Sequence, residues 1–252
     1  MTTPPAEFVA ELLRARRPRR EERPTRTLIV QGKLSKEQVQ LWVKQLHYYR
    51  VNVPRKELYI LANCPIKEIR MERVKKYLEE EDDRVMGGKV GPHAELWAQL
   101  GEGLGLSRAE MDDFRDLCPE YRLLVDSWVN YARDHSWLEG SAMSFDEDGG
   151  TGPSGEGMNV ARALSKFYGV PDRALGHFTL HSELDIEHGE SIHDLVRKYA
   201  VTDEQQEGVR NAVRFKRAFH VMEDRCMRIA CRIDPQLYAN LALGESPSGR
   251  AQ

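Results

Sequence analysis

The 252-residue chain has little of what marks several protein classes. Its four cysteines, Cys64, Cys118, Cys226 and Cys231, form no C-x-x-C pair. A zinc ribbon and a thioredoxin-type redox motif are therefore excluded. Scattered thiols read as buried and reduced, as in a cytoplasm. No apolar run reaches the roughly 18 residues that span a bilayer, and the N-terminus lacks the apolar core of a secretion signal. A cytoplasmic protein without membrane contact is expected. There is no basic excess: the net charge is −3 and the pI about 6.3, which argues against general nucleic-acid binding. The 19 glycines and 12 prolines are too few to suggest disorder. Period-two alternation between turn signals is missing, and so is any repeat of fixed length.

What remains is helical spacing. Phe8, Val9, Leu12 and Leu13 share one helix face. Ser35-Lys36-Glu37-Gln38 fits a capping box and opens a helix through Val39, Trp42, Val43, Leu46, Tyr49 and Val53, ahead of Pro54. Helices are predicted at 66–81, at 93–104 after Pro92, from the second capping box Ser107-Arg108-Ala109-Glu110, and in one long run over 121–147. Others follow at 158–168, from Pro171, at 191–199, and from Thr202-Asp203-Glu204-Gln205 to about 233. Gly189 is expected to end or kink the helix that carries it. The chain therefore reads as all-α, one bundle of about seven to nine helices. Residues 1–26 form a basic helix and arm, 27–244 the main domain and 245–252 a loose tail. Arg14, Arg16, Arg17, Arg19, Arg20, Arg23 and Arg26 read as a solvated arm, or as a docking surface for an acidic partner.

One stretch points to chemistry. His181-Ser182-Glu183-Leu184-Asp185-Ile186-Glu187-His188 is H-x-x-x-D-x-x-H, and positions i, i+4 and i+7 fall on one helix face. Two imidazoles and a carboxylate suit iron, zinc or manganese, although an exposed polar face gives the same pattern. A bundle can complete a two-metal site from facing helices. Further donors stand at Glu79, Glu80 and Glu81, at His93 and at Glu147 beside Asp148; spacing alone does not select among these carboxylates. The loop 148–157 holds five glycines but lacks G-x-x-x-x-G-K-[ST] and a preceding strand, so it is not a phosphate-binding loop.

Trp42-Val43, Tyr48-Tyr49, Ala62-Asn63-Cys64-Pro65, Leu100-Gly101-Glu102, Gly105-Leu106-Ser107-Arg108 and Trp137-Leu138-Glu139 together resemble the pyrroloquinoline-quinone synthases over residues 25–240. The resemblance implies a haem-oxygenase-like helical fold, shared with thiaminase-II-like proteins. It also implies that Tyr49, Glu147 and Lys216 are retained. The site departs from that pattern elsewhere: Arg19 and Arg20 replace a Tyr-His pair, Glu80 a histidine, Trp128 a tyrosine and Ser154 a histidine, and a Tyr and an Arg give way to small or apolar residues near Ala174 and Phe178.

These departures are similar to the haem-oxygenase-like dimetal oxidases. By that resemblance Glu80, His93, Glu147, His181, Asp185 and His188 supply the metal ligands in order, with His93 in a similar H-x-x-L-W setting. Glu79 or Glu81 could replace Glu80, and Asp148 could replace Glu147. The implied cofactor is a pair of divalent ions, Fe(II)/Fe(II) or Fe/Mn, with O2 as co-substrate and a small organic molecule oxidised. Tyr49, Trp128 and Lys216 are candidate pocket residues; for Tyr49 and Trp128 a core role is the competing reading. A homodimer is also implied. The competing functions are a metal-free oxidase working like the quinone synthase and a non-catalytic helical interaction module. A thiamine hydrolase would need a cysteine nucleophile, and the stretch 137–147 has none.

Overall fold

The computed structural model describes residues 2–16, 18, 20–86, 91–145 and 155–242; within these, the side chains of residues 20, 83, 86, 181–191 and 242 are outside the description. The expected tail over 245–252 falls outside the described residues. So does most of the glycine-rich loop.

The described residues form twelve α-helices and three short 3-10 turns, with no strand. In order they are α1 (Pro5–Ala15), α2 (Pro24–Val30), α3 (Lys36–Asn63), α4 (Lys67–Asp82), α5 (His93–Gly103), α6 (Arg108–Met111), α7 (Pro119–Asp134), α8 (Trp137–Ala142), α9 (Glu156–Tyr168), α10 (Gly176–Tyr199), α11 (Asp203–Ala230) and α12 (Pro235–Ala242). None is long and apolar enough to cross a membrane. The all-α expectation holds, but the expected seven to nine helices are too few.

Three differences stand out, and the first two have local causes. First, the run over 121–147 is two helices. Ser136 accepts from the Glu139 amide in a capping box and restarts the helix as α8. Asn63, from the Ala-Asn-Cys-Pro motif, closes the end of α7 by donating to the carbonyls of Ala132, Arg133 and His135, each at 2.9 Å. Second, α3 does not stop at Pro54. The proline removes one ladder donor, but Val53 and Ile60 are buried on either side of it. Asn52 Nδ2 adds a donor at 2.7 Å to the Tyr48 carbonyl just below. Third, α10 runs through position 189 without ending there.

α3 is the axis of the bundle, packing against α4, α5, α7, α8 and α11. Its Val39, Trp42, Val43, Leu46 and Ile60 are almost fully buried. The capping boxes at Ser35, Ser107 and Thr202 form as the sequence predicts. Phe8, Val9 and Leu12 of α1 lie in the same core, and the expected boundary at 26/27 falls inside α2. The arginine-rich segment is fastened to the bundle. Arg23 is close to Glu223 at 3.9 Å, Arg26 to Glu156 at 3.8 Å, and Arg217 donates to Glu22 at 2.6 Å.

Candidate functional site

Glu80 lies in the last turn of α4 and His93 opens α5. Helix ends are where a carboxylate and an imidazole from consecutive helices can meet, because the connecting chain turns there. They do meet: Glu80 Oε2 is 2.9 Å from His93 Nδ1, with both side chains largely withdrawn from solvent. Glu81 faces the other way and accepts from the Tyr77 hydroxyl on the exposed side at 3.2 Å.

Trp97 fixes the setting of α5. It is buried one turn beyond His93, and its Nε1 donates to the Val43 carbonyl at 2.8 Å. Its ring meets Trp42 at 5.6 Å and His177 of α10 at 4.9 Å, both edge-on. This contact turns the face of α10 that carries position 177 toward α5. The side chains of His181, Asp185 and His188, and Glu147 entirely, lie outside the described residues. Among the described residues no group of three or more His, Cys, Asp or Glu side chains is arranged to hold a metal. Two of the six candidate ligands are therefore described, and those two touch.

α10 also carries two histidines that the sequence reading passed over. His177 and His193 are both buried, and the His193 ring lies 4.4 Å from that of Phe145, just beyond α8, tilted by 44°. The signal for His177 was present: it sits four residues before His181, on the same face.

The three candidate pocket residues come together from three helices. Lys216 of α11 donates to the Tyr49 hydroxyl of α3 at 3.0 Å. Trp128 of α7 lies 4.5 Å from the Tyr49 ring, and the Lys216 ammonium is 5.0 Å from both rings. Lys56 stands over Trp128 at 5.2 Å. A buried ammonium among aromatic faces gains cation–π attraction that offsets part of its desolvation.

The all-helical bundle is that of the haem-oxygenase-like proteins. A solved structure from Shewanella denitrificans, described as a domain of unknown function with a heme oxygenase-like fold, superposes with a TM-score of 0.68 at 13% identity, covering 98% of this chain and 95% of its own. A TenA homolog from Pseudomonas syringae superposes at 0.67 and 13% identity over 88% of this chain and 92% of its own. The chain belongs to the family described as "Iron-containing redox enzyme", which matches residues 40–220. The pyrroloquinoline-quinone synthase of Acinetobacter baumannii is 29% identical over 77% of this chain and 74% of its own length. That of Pseudomonas aeruginosa is 36% identical over 49% of this chain and 48% of its own. The chain is thus an oxidoreductase by family. The names of these relatives favour the quinone-synthase-like reading over the dimetal one.

Proposed function

We propose that the protein is an O2-dependent oxidase of a small organic substrate, with a pair of divalent metal ions held by Glu80, His93, Glu147, His181, Asp185 and His188. The observation that carries this is the buried Glu80–His93 contact at 2.9 Å. A carboxylate and an imidazole withdrawn from water are a donor pair that suits divalent iron. They also stand where the quinone-synthase resemblance leads one to expect a different residue at position 80. Iron bound there would supply the one-electron chemistry that O2 requires. The chain does the rest. Trp97 and Pro92 set the start of α5, and with it the His93 ring. The packed Tyr49, Trp128 and Phe219 rings keep water from the Lys216 ammonium. Lys216 holds a proton donor against the Tyr49 hydroxyl.

A second reading is supported by the named relatives: oxidation by O2 without a metal, in a pocket of Tyr49, Trp128 and Lys216. Metal analysis of protein expressed with iron separates the two, together with O2 consumption before and after chelation. About two irons per chain, lost in His181→Ala, with turnover that stops on chelation, is the expected result. Undiminished turnover in chelated, iron-free protein establishes the second reading instead.

A further inference from the structure

A cavity lies at the far end of α5, away from the Glu80–His93 contact. It has a volume of about 320 Å³. One wall is Gln99, Glu102 and Gly103 of α5; the other is Pro171, Arg173 and Ala174, in the 3-10 turn that leads into α10. The volume is at the small end of ligand sites, which run from roughly 300 to 1,000 Å³. Glu102 stands nine residues after His93, roughly 13 Å along the helix axis, so the cavity is a separate place in the fold.

Small residues let the two walls close on each other. A Cβ at Gly103 would come within 2.6 Å of Ala174 Cβ, so bare backbone at 103 brings the turn onto α5. Ala174 is buried and Pro171 half-buried, and together they give the cavity an apolar floor. The Glu102 and Arg173 side chains are exposed at its mouth, one from each wall. They do not pair with each other. Among the described residues neither makes an ion pair or a side-chain hydrogen bond, and nor does the Gln99 amide.

The polar groups are therefore free to take a ligand, and their chemistry states which kind. A carboxylate takes a cation, a guanidinium fork matches both oxygens of a carboxylate, and the Gln99 amide can donate or accept. The two charges sum to zero. A ligand with a single charge answers one wall and leaves the other unanswered, whereas a zwitterion answers both.

We propose that this cavity binds a small zwitterion that carries an ammonium and a carboxylate on a short apolar frame. Glu102 takes the ammonium, Arg173 the carboxylate, and Pro171 with Ala174 the apolar frame. The ligand ties the end of α5 to the turn that starts α10, remote from the candidate metal centre, and so acts as an effector that is held rather than oxidised. The assignment is the same whether or not the oxidation uses a metal.

The test is calorimetric titration of the full chain at low ionic strength, where exposed charges are least screened. The probes are L-valine and 5-aminopentanoate, which space their charges differently, with pentanoate and pentylamine as the singly charged counterparts. At least one zwitterion is expected to bind, and more tightly than either counterpart. Glu102→Gln and Arg173→Gln change exposed positions that support no other contact, and each should weaken that zwitterion by roughly fivefold, the scale of an exposed charge pair. Absence of binding by both zwitterions overturns the site. So does equal binding of pentanoate or pentylamine, or an affinity unchanged in either variant.

Discussion

Glu80 and His93 meet at 2.9 Å across the turn between α4 and α5, and neither is substantially exposed. The chain holds this contact from both sides. Ile69 and Arg73 bury the inner face of α4, and Trp97 anchors α5 to the Val43 carbonyl. On the proposed dimetal reading, the pair either coordinates directly or orients an imidazole that does.

Both roles predict a loss of iron when the pair is broken. Glu80→Gln and His93→Ala should each lower iron affinity by roughly 10–100-fold, the range found when a ligand's partner is removed. Competition with a chromophoric chelator measures it. Glu81→Gln should leave affinity unchanged, since Glu81 accepts from Tyr77 on the outside. Equal losses from both glutamate variants would mean that Glu80 has no special part in binding.

Glu57 should be far more sensitive than its place in the short charged run Arg55-Lys56-Glu57 suggests. Its carboxylate is fully buried and is shared by Lys56 and Arg73. Glu57→Gln leaves Lys56 and Arg73 buried side by side without a counter-charge. Removing one member of a buried ion pair costs roughly 3–5 kcal/mol, and urea unfolding should register a loss of that size. A loss below about 1 kcal/mol would show that water reaches the trio.

The close approach of α8 to α3 depends on a residue without a side chain. A Cβ at Gly140 would come within 2.8 Å of Ile60 Cγ1, and Ile60 is fully buried. Gly140→Ala should therefore destabilise by roughly 1–3 kcal/mol by overpacking, against its gain in helix propensity. Urea unfolding of Gly140→Ala measures the loss, and an unchanged stability would mean that Ile60 shifts freely.

Capping chemistry and apolar spacing made most of the helices legible. The boxes at Ser35, Ser107 and Thr202 each start a helix where the pattern says. Ser136 carries the same signature but lay inside a continuous apolar run, which hid the break before α8. Pro54 was over-read, because packing on both sides of α3 outweighs one missing donor. In the site, the meeting of Tyr49, Trp128 and Lys216 was legible only through resemblance; helical spacing alone gives core aromatics. Lys56, Glu57 and Arg73 were illegible for a physical reason. Hydrophobic periodicity treats a charged residue as solvent-facing, and only the tertiary arrangement shows two cations closing around one carboxylate.

A last prediction concerns pH and two neighbouring acids on α11. Burial pushes the Asp224 carboxyl up to about 6, despite the Tyr238 hydroxyl at 2.7 Å and the Thr25 amide at 3.2 Å. Burial also acts on Glu223, but there His220 and Arg23 prevail and the group is lowered to about 2. The signs are opposite. For Glu223 the folded pKa lies below the ordinary 4.5, so its stabilisation is present above that pH and is lost as pH falls toward 2. For Asp224 the folded pKa lies above the ordinary 3.8, so the folded state holds the proton more tightly, and stability falls as pH rises from about 4 to about 6. Between them the pair favours a weakly acidic optimum. Asp224→Asn abolishes the second effect and keeps an acceptor for Tyr238. Relative to the variant, the wild type should lose about 2 kcal/mol between about pH 4.5 and pH 7. Urea unfolding of both proteins at the two pH values measures this difference, and a gap that does not change with pH would assign the dependence to other groups.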